Sequence, residues 1–279
     1  MTWIFSSFQF RRHALATMLI CLFIPQVQAQ DSVEIAGSFP TNGTEEAPVL
    51  IGAMQANARL WPATLVFMHQ KNLFSPIERC SATVIGPMTV LTAAHCMPDG
   101  AVAIVKLASG GNLKVKCTHH PDYLDDTSQD FALCVSNAAF TGFRFEKINT
   151  DTAKPALNAQ VKLMGFGCRE EAGVDKAFGV LFEGPATVKS RFANGRNYIR
   201  TAGGAAVCFG DSGGGAFIVA NANATLFGVN SRGDISENSY LSTTANPAFL
   251  AFLDTWVATT NAGAICGRGA DAALCRSGM

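Results

Sequence analysis

The chain has 279 residues, with 21 basic against 21 acidic side chains and only 15% charged residues, so its formal net charge is zero. With no charge excess and no run of like charge, it carries no electrostatic footprint for nucleic acid or for an anionic membrane surface. No internal repeat or low-complexity linker interrupts it.

The first 29 residues have the layout of an export signal. Arg11 and Arg12 form a basic start, Ala14 to Pro25 a short apolar core, and Val27, Gln28 and Ala29 a small-residue cleavage site, which predicts a cut before Gln30. A core this short falls well below the ~20 apolar residues that span a bilayer. The expected product is secreted or periplasmic and has no membrane partner after signal cleavage. Ile20 before Cys21 does not suit a lipoprotein site, so Cys21 leaves with the signal. A polar stretch follows, Gln30 to Val49, containing Pro40, Gly43, Glu45, Glu46 and Pro48.

Beyond it, short β-rich runs recur between turn residues: Ala63 to Met68, Ser81 to Ile85, Ala101 to Leu107 and Leu113 to Lys116. A second set comprises Gln160 to Phe166, Gly179 to Lys189, Tyr198 to Thr201, Ala216 to Val219, Thr225 to Ser231 and Ser239 to Thr243. Pro247 then opens a helix whose apolar residues Phe249, Leu250, Phe252, Leu253, Trp256 and Val257 recur at helical spacing. The pattern predicts an all-β protein with a C-terminal α-helix and a boundary between two lobes near residues 140–155. Of nine cysteines, all but Cys21 remain after export, an even number that reads as disulfides. No CxxC or paired CxxH spacing supports a metal site, and the His119–His120 pair lacks a further ligand at suitable spacing. No metal and no cofactor is expected.

Chemistry concentrates in Gly210, Asp211, Ser212, Gly213, Gly214 and Gly215. A serine hydroxyl is a poor nucleophile at neutral pH and needs a histidine base with a group to orient it. The surrounding glycines let backbone N–H groups approach an oxygen on which charge develops. The motif also satisfies G-x-S-x-G, whose catalytic order is serine, acid, histidine. All five histidines precede Ser212, which rules that order out. Acid before histidine would require Asp31, outside any folded core. Histidine, acid, serine remains. Asp130 leads into the apolar run Phe131 to Val135, where a carboxylate can be buried. Asp122, Asp125, Asp126 and Asp211 compete, although Asp125 and Asp126 sit in a polar loop that suits solvated roles.

Leu91, Thr92, Ala93, Ala94, His95 and Cys96, then His120, Pro121, Tyr123 and Asp130 to Leu133, then Gly210 to Gly214, resemble the histidine, aspartate and serine motifs of the chymotrypsin/trypsin-like serine proteases. Trp61–Pro62 and Gly228 to Gly233 resemble two further family segments, so the likeness covers roughly residues 50 to 260 in the right order. Gly215 stands where a proline is usual. The resemblance implies two six-stranded antiparallel β-barrels with the active site in the cleft between them, barrel 1 over about 50–147 and barrel 2 over about 148–260. A 261–279 tail with a small disulfide loop would follow.

The resemblance further implies a secreted serine endopeptidase acting on protein or peptide substrates through His95, Asp130 and Ser212, with Gly210 and Ser212 N–H groups as the oxyanion hole. Cys80–Cys96 is similar to the family's histidine-loop disulfide. Cys117–Cys134, Cys168–Cys208 and Cys266–Cys275 are expected from proximity, Cys168 standing in because no cysteine follows Gly233 closely. Residues 30–49 look like a propeptide. Its removal by an activating protease would free the Leu50 amine to pair with Asp211, and Val49 before the cut argues against a trypsin as activator. Ala206 stands at the base of the substrate pocket, with Ser231, Gly233 and Asn238 around it. Ala206 offers no carboxylate to a cationic side chain, so apolar or small residues are expected before the cut. Arg232 replaces an aromatic that usually flanks the cleft. The alternative is an inactive homologue serving as a binding or adhesion module, which ordinarily lacks a triad member, whereas all three are present here.

Overall fold

A computed structural model describes residues 51–168, 178–193, 195–270 and 272–276. The expected signal peptide, the expected propeptide and Leu50 lie outside the described residues.

Among the described residues, β-branched and aromatic residues punctuated by Gly, Pro and Asn turns form thirteen strands. After the short β1 (Met54–Gln55) come β2 (Thr64–His69), β3 (Glu78–Gly86), β4 (Thr89–Thr92), β5 (Val102–Lys106), β6 (Asn112–His119) and β7 (Ala132–Ser136). These last six close into an antiparallel barrel in the order β2-β3-β4-β7-β6-β5. The second group is β8 (Gln160–Gly165), β9 (Phe182–Ala193), β10 (Tyr198–Ala202), β11 (Gly215–Ala220), β12 (Asn223–Gly233) and β13 (Ser239–Thr243). Their order is β9-β10-β13-β12-β11-β8, and pairing of β8 with β9 closes the second six-stranded barrel, with β1 added along β9. Closure removes the exposed sheet edges that would otherwise template aggregation.

The strands lie where the β-rich runs place them. β4 and β7 had been legible only as the approach to His95 and the apolar run after Asp130. Leu163, Phe227, Leu241, Val188 and Ala216 fill the second barrel and are almost wholly buried. The helix α1 (Pro247–Thr260) starts as the sequence predicts. Asn246 caps it by accepting from Ala248 N at 3.0 Å, Pro247 occupies the first turn, and Asn261 ends it in the left-handed region at φ 54°. It docks on the first barrel through Phe249, whose ring centroid lies 4.3 Å from that of Phe131.

Disulfides join Cys80–Cys96, Cys117–Cys134, Cys168–Cys208 and Cys266–Cys275. The last closes a ring that lies against the segment linking the barrels. There, Phe145 N donates to Leu274 O and Arg276 N donates to Phe145 O, at 3.0 and 2.9 Å. Arg276 reaches the buried Glu146 at 2.7 Å and covers the Trp61 ring at 4.1 Å from its centroid. A single carboxylate in a buried site needs such a partner.

Candidate active site

β4 runs out at Thr92, and a single 3-10 turn, Ala94–Cys96, carries His95. The Cys80–Cys96 bond ties this turn to β3, so the imidazole is fixed relative to the barrel. Asp130 follows another 3-10 turn, Thr127–Gln129, which Asp126 caps by accepting from Ser128 N. Its side chain is fully buried. One carboxylate oxygen accepts from His95 N at 3.0 Å; the other is 2.7 Å from His95 Nδ1 and accepts from Ser231 Oγ at 2.6 Å. An ionised carboxylate only accepts, so Nδ1 carries the hydrogen and Nε2 presents a lone pair. Asp122 and Asp125 have no such contact with His95, and Asp126 is occupied by Ser128, Gln129 and Arg196. Of these aspartates, Asp130 is the one bonded to His95, through both its backbone N–H and its Nδ1.

The serine turn is held from both barrels. From β3, Ser81 N donates to Ser212 O and Ser81 Oγ donates to Gly210 O, each at 2.8 Å. From β12, Asn230 O accepts Gly213 N at 2.8 Å, while Asn230 Nδ2 donates to Asp211 O at 3.2 Å. Gly213 has φ +80°, and a Cβ there would lie 2.0 Å from Thr92 Oγ1. Only glycine lets the turn approach the strand end that leads into His95. Asp211, Gly213 and Gly214 N–H groups are all bonded within the turn or to β12. Among the described residues, the N–H groups of Gly210 and Ser212 have no acceptor. Two adjacent unspent donors are therefore available beside the serine.

Asp211 is fully buried, and its two oxygens accept from Gly167 N and Cys208 N at 2.8 Å each. Burial pushes its carboxyl up to about 7, against the pull of those two bonds. No cation pairs with it among the described residues. Ile51, which follows Leu50, bridges to Ala206, whose N–H donates to Ile51 O at 3.0 Å.

Of the residues expected to line a substrate pocket, Gly233 and Asn238 lie against Val207, the neighbour of Ala206. Ala206 is fully buried, and Val207 N donates to Ser239 Oγ at 3.0 Å, which ties this segment to the strand after Asn238. A Cβ on Gly233 would meet Asn238 O at 2.6 Å and Val207 Cγ2 at 2.9 Å, so these three residues are in contact. Asn238 donates through Nδ2 to Asp234 and accepts Arg200 through Oδ1, both at 2.6 Å. Asp234 also accepts from Ser236, Glu237 and Asn238 N–H groups; desolvation is the largest single influence on its carboxyl and raises it, but the Asn238 side-chain and backbone bonds together outweigh it and hold the carboxyl down at about 2. That carboxylate is spent on its own loop.

Sequence reasoning missed Ser81 and Asn230, which clamp the serine turn. Both sit inside predicted strands and carry no local signal of a contact so distant along the chain. Cys80, His95 and Cys96 bring ligand-type atoms within 4.8 Å of one another, but the disulfide consumes both sulfurs, leaving no thiolate for an ion. No helix among the described residues is long and apolar enough to cross a membrane.

A family model described as Trypsin matches residues 50–251, well over half of the chain. The chain belongs to the trypsin family. No curated protein matches it. Membership agrees with the paired barrels and the disulfide at the histidine turn, and places this trypsin-family domain among serine peptidases that act on protein or peptide substrates.

Proposed function

We propose that the protein is an exported serine endopeptidase in which Ser212 attacks, His95 is general base and then general acid, and Asp130 fixes the imidazole tautomer and stabilises its charged form. The observation that carries the reading is the buried Asp130 bonded at 2.7 Å to His95 Nδ1, in a turn packed against the Ser212 loop. His95 Nε2 takes the serine proton as Oγ adds to the scissile carbonyl. The unspent Gly210 and Ser212 N–H groups receive the oxyanion, each worth ~3 kcal/mol in the transition state. Collapse expels the amine, protonated by His95, and water releases the acyl group by the same steps in reverse. Ser231 is a positioning residue that holds Asp130.

Residues 1–29 serve as signal, 30–49 as propeptide, and 50–260 as the protease domain, with the lobes meeting near residue 147 and a tail from 261 onward. Four disulfides suit an oxidising compartment outside the cytoplasm. Cleavage before Leu50 supplies the ammonium that the buried Asp211 lacks, which forms the mature site. The enzyme prefers apolar or small residues before the cut, because Ala206 has no charge and Asp234 is committed to its loop.

A fluorophosphonate reagent followed by peptide mapping tests the proposal. Labelling at Ser212 in protein that begins at Leu50, with little in the longer form, is expected. Processed protein that takes no label would favour the binding-module alternative. Rapid hydrolysis of peptide anilides after Arg alone would refute the pocket assignment.

A further inference from the structure

Two arginines flank the serine turn, one from each barrel, and each rests on an aromatic ring. Arg79 lies two residues before Ser81 on β3, hence on the same strand face as the hydroxyl that holds Gly210 O. Its guanidinium carbon is 5.4 Å from the centroid of the Phe178 ring. A Cβ on Gly210 would meet that ring at 2.8 Å, so guanidinium, ring and candidate oxyanion donor form one contiguous stack. On the other side, Arg232 follows Ser231, which hydrogen-bonds Asp130, and sits 5.3 Å from the Tyr198 ring centroid. The Tyr198 hydroxyl donates to Thr127 O, which pins the ring beside the turn that presents Asp130.

Both arginines are exposed, and no carboxylate lies within 4.0 Å of either among the described residues. Glu78, next to Arg79, points to the opposite strand face by the two-residue period. Asp234, close after Arg232, is occupied by Asn238 and three backbone N–H groups. An arginine stacked on a ring loses less rotamer freedom when it captures a planar carboxylate, and the capture satisfies two donors at once.

We infer that the cleft selects acidic polypeptides, with Arg79 and Arg232 each receiving an Asp or Glu side chain, one on either side of the cleaved bond. The inference rests on the serine-protease reading and specifies its substrate class; the residue immediately before the cut is still apolar or small.

Matched peptides bearing Glu or Gln at one to three positions on each side of the cut test it with processed protein. Each well-placed Glu is expected to raise kcat/KM about three- to fivefold over Gln at low salt, the range of an exposed ion pair, and less at high salt. R79Q should abolish the preference on one side only, R232Q on the other, while circular dichroism and melting stay unchanged. Equal cleavage of Glu and Gln peptides, or a preference that survives in the double variant, overturns the inference and leaves the protease assignment intact. If no peptide is cleaved, the protease reading fails. Fluorescein-labelled forms of the same peptides then decide on Ser212→Ala protein: tighter binding of Glu than Gln peptides, lost in R79Q and R232Q, upholds the acidic cleft, and equal binding overturns it.

Discussion

Replacing Asp211 by asparagine isolates the largest buried electrostatic cost in the serine turn. Asp211 is fully buried, has two backbone donors and no cation among the described residues, and its carboxyl is pushed from 3.8 up to about 7. The folded state therefore binds this proton more tightly than the unfolded state. Its contribution is fully present below pH 3.8 and is lost as pH rises through about 7. The gap of 7 − 3.8 = 3.2 pH units, at about 1.4 kcal/mol each, amounts to ~4 kcal/mol. The asparagine of D211N cannot ionise, but its amide must turn NH2 toward one backbone N–H, a pH-independent cost of about 1–3 kcal/mol. Urea unfolding of the unprocessed chain at intervals from pH 4 to pH 8, on a Ser212→Ala background to prevent self-cleavage, gives the difference between the two proteins. The parent should be the more stable at pH 4, and D211N should equal or exceed it at pH 8. Parallel pH profiles would refute the argument. Protein cut before Leu50 should lose less stability with rising pH than the uncut parent, because an ammonium beside Asp211 lowers its pKa again.

D130N should keep the fold yet lower kcat about 10⁴-fold, because the amide can present NH2 to His95 and favour the wrong tautomer; peptide hydrolysis at fixed pH measures it. R276A strands Glu146, whose carboxyl burial already pushes to about 7 and one of whose oxygens has no hydrogen-bond partner among the described residues. Breaking a buried pair costs about 3–5 kcal/mol. The loss, read from the urea midpoint, should be largest above pH 7 and smaller at pH 5, where Glu146 takes up a proton. G213A places a methyl 2.0 Å from Thr92 Oγ1 at φ +80°, so the turn must move and fluorophosphonate labelling of Ser212 should be lost.

Strand positions were readable because β-rich runs and the turn residues between them are local features, and the helix because Pro247 and its apolar spacing lie within a few residues of one another. The order of His95, Asp130 and Ser212 was readable for the same reason: order needs no distances. Ser81 and Asn230 were not readable. Each is an ordinary polar residue in a strand, and its contacts bridge 129 residues to Gly210 in one case and 19 to Asp211 in the other. The Arg276–Glu146 pair spans 130 residues and was equally silent.

By itself, then, the chain determined an all-β pattern with a C-terminal helix, disulfides and a histidine, acid, serine order, since β-rich runs, cysteine parity and motif order are written along one dimension; the paired barrels were implied by its resemblance to the trypsin-like proteases. Where the residues alone left several aspartates open and the resemblance pointed to Asp130, the tertiary structure brings Asp130 onto His95 and Ser231 and occupies Asp126 with Ser128, Gln129 and Arg196. It also decided that, among the described residues, the Gly210 and Ser212 N–H groups stay unspent while Asp211 is buried without a cation. Those outcomes depend on how two closed barrels meet, and burial and hydrogen-bond competition at that seam are properties of space, which spacing along a chain does not encode.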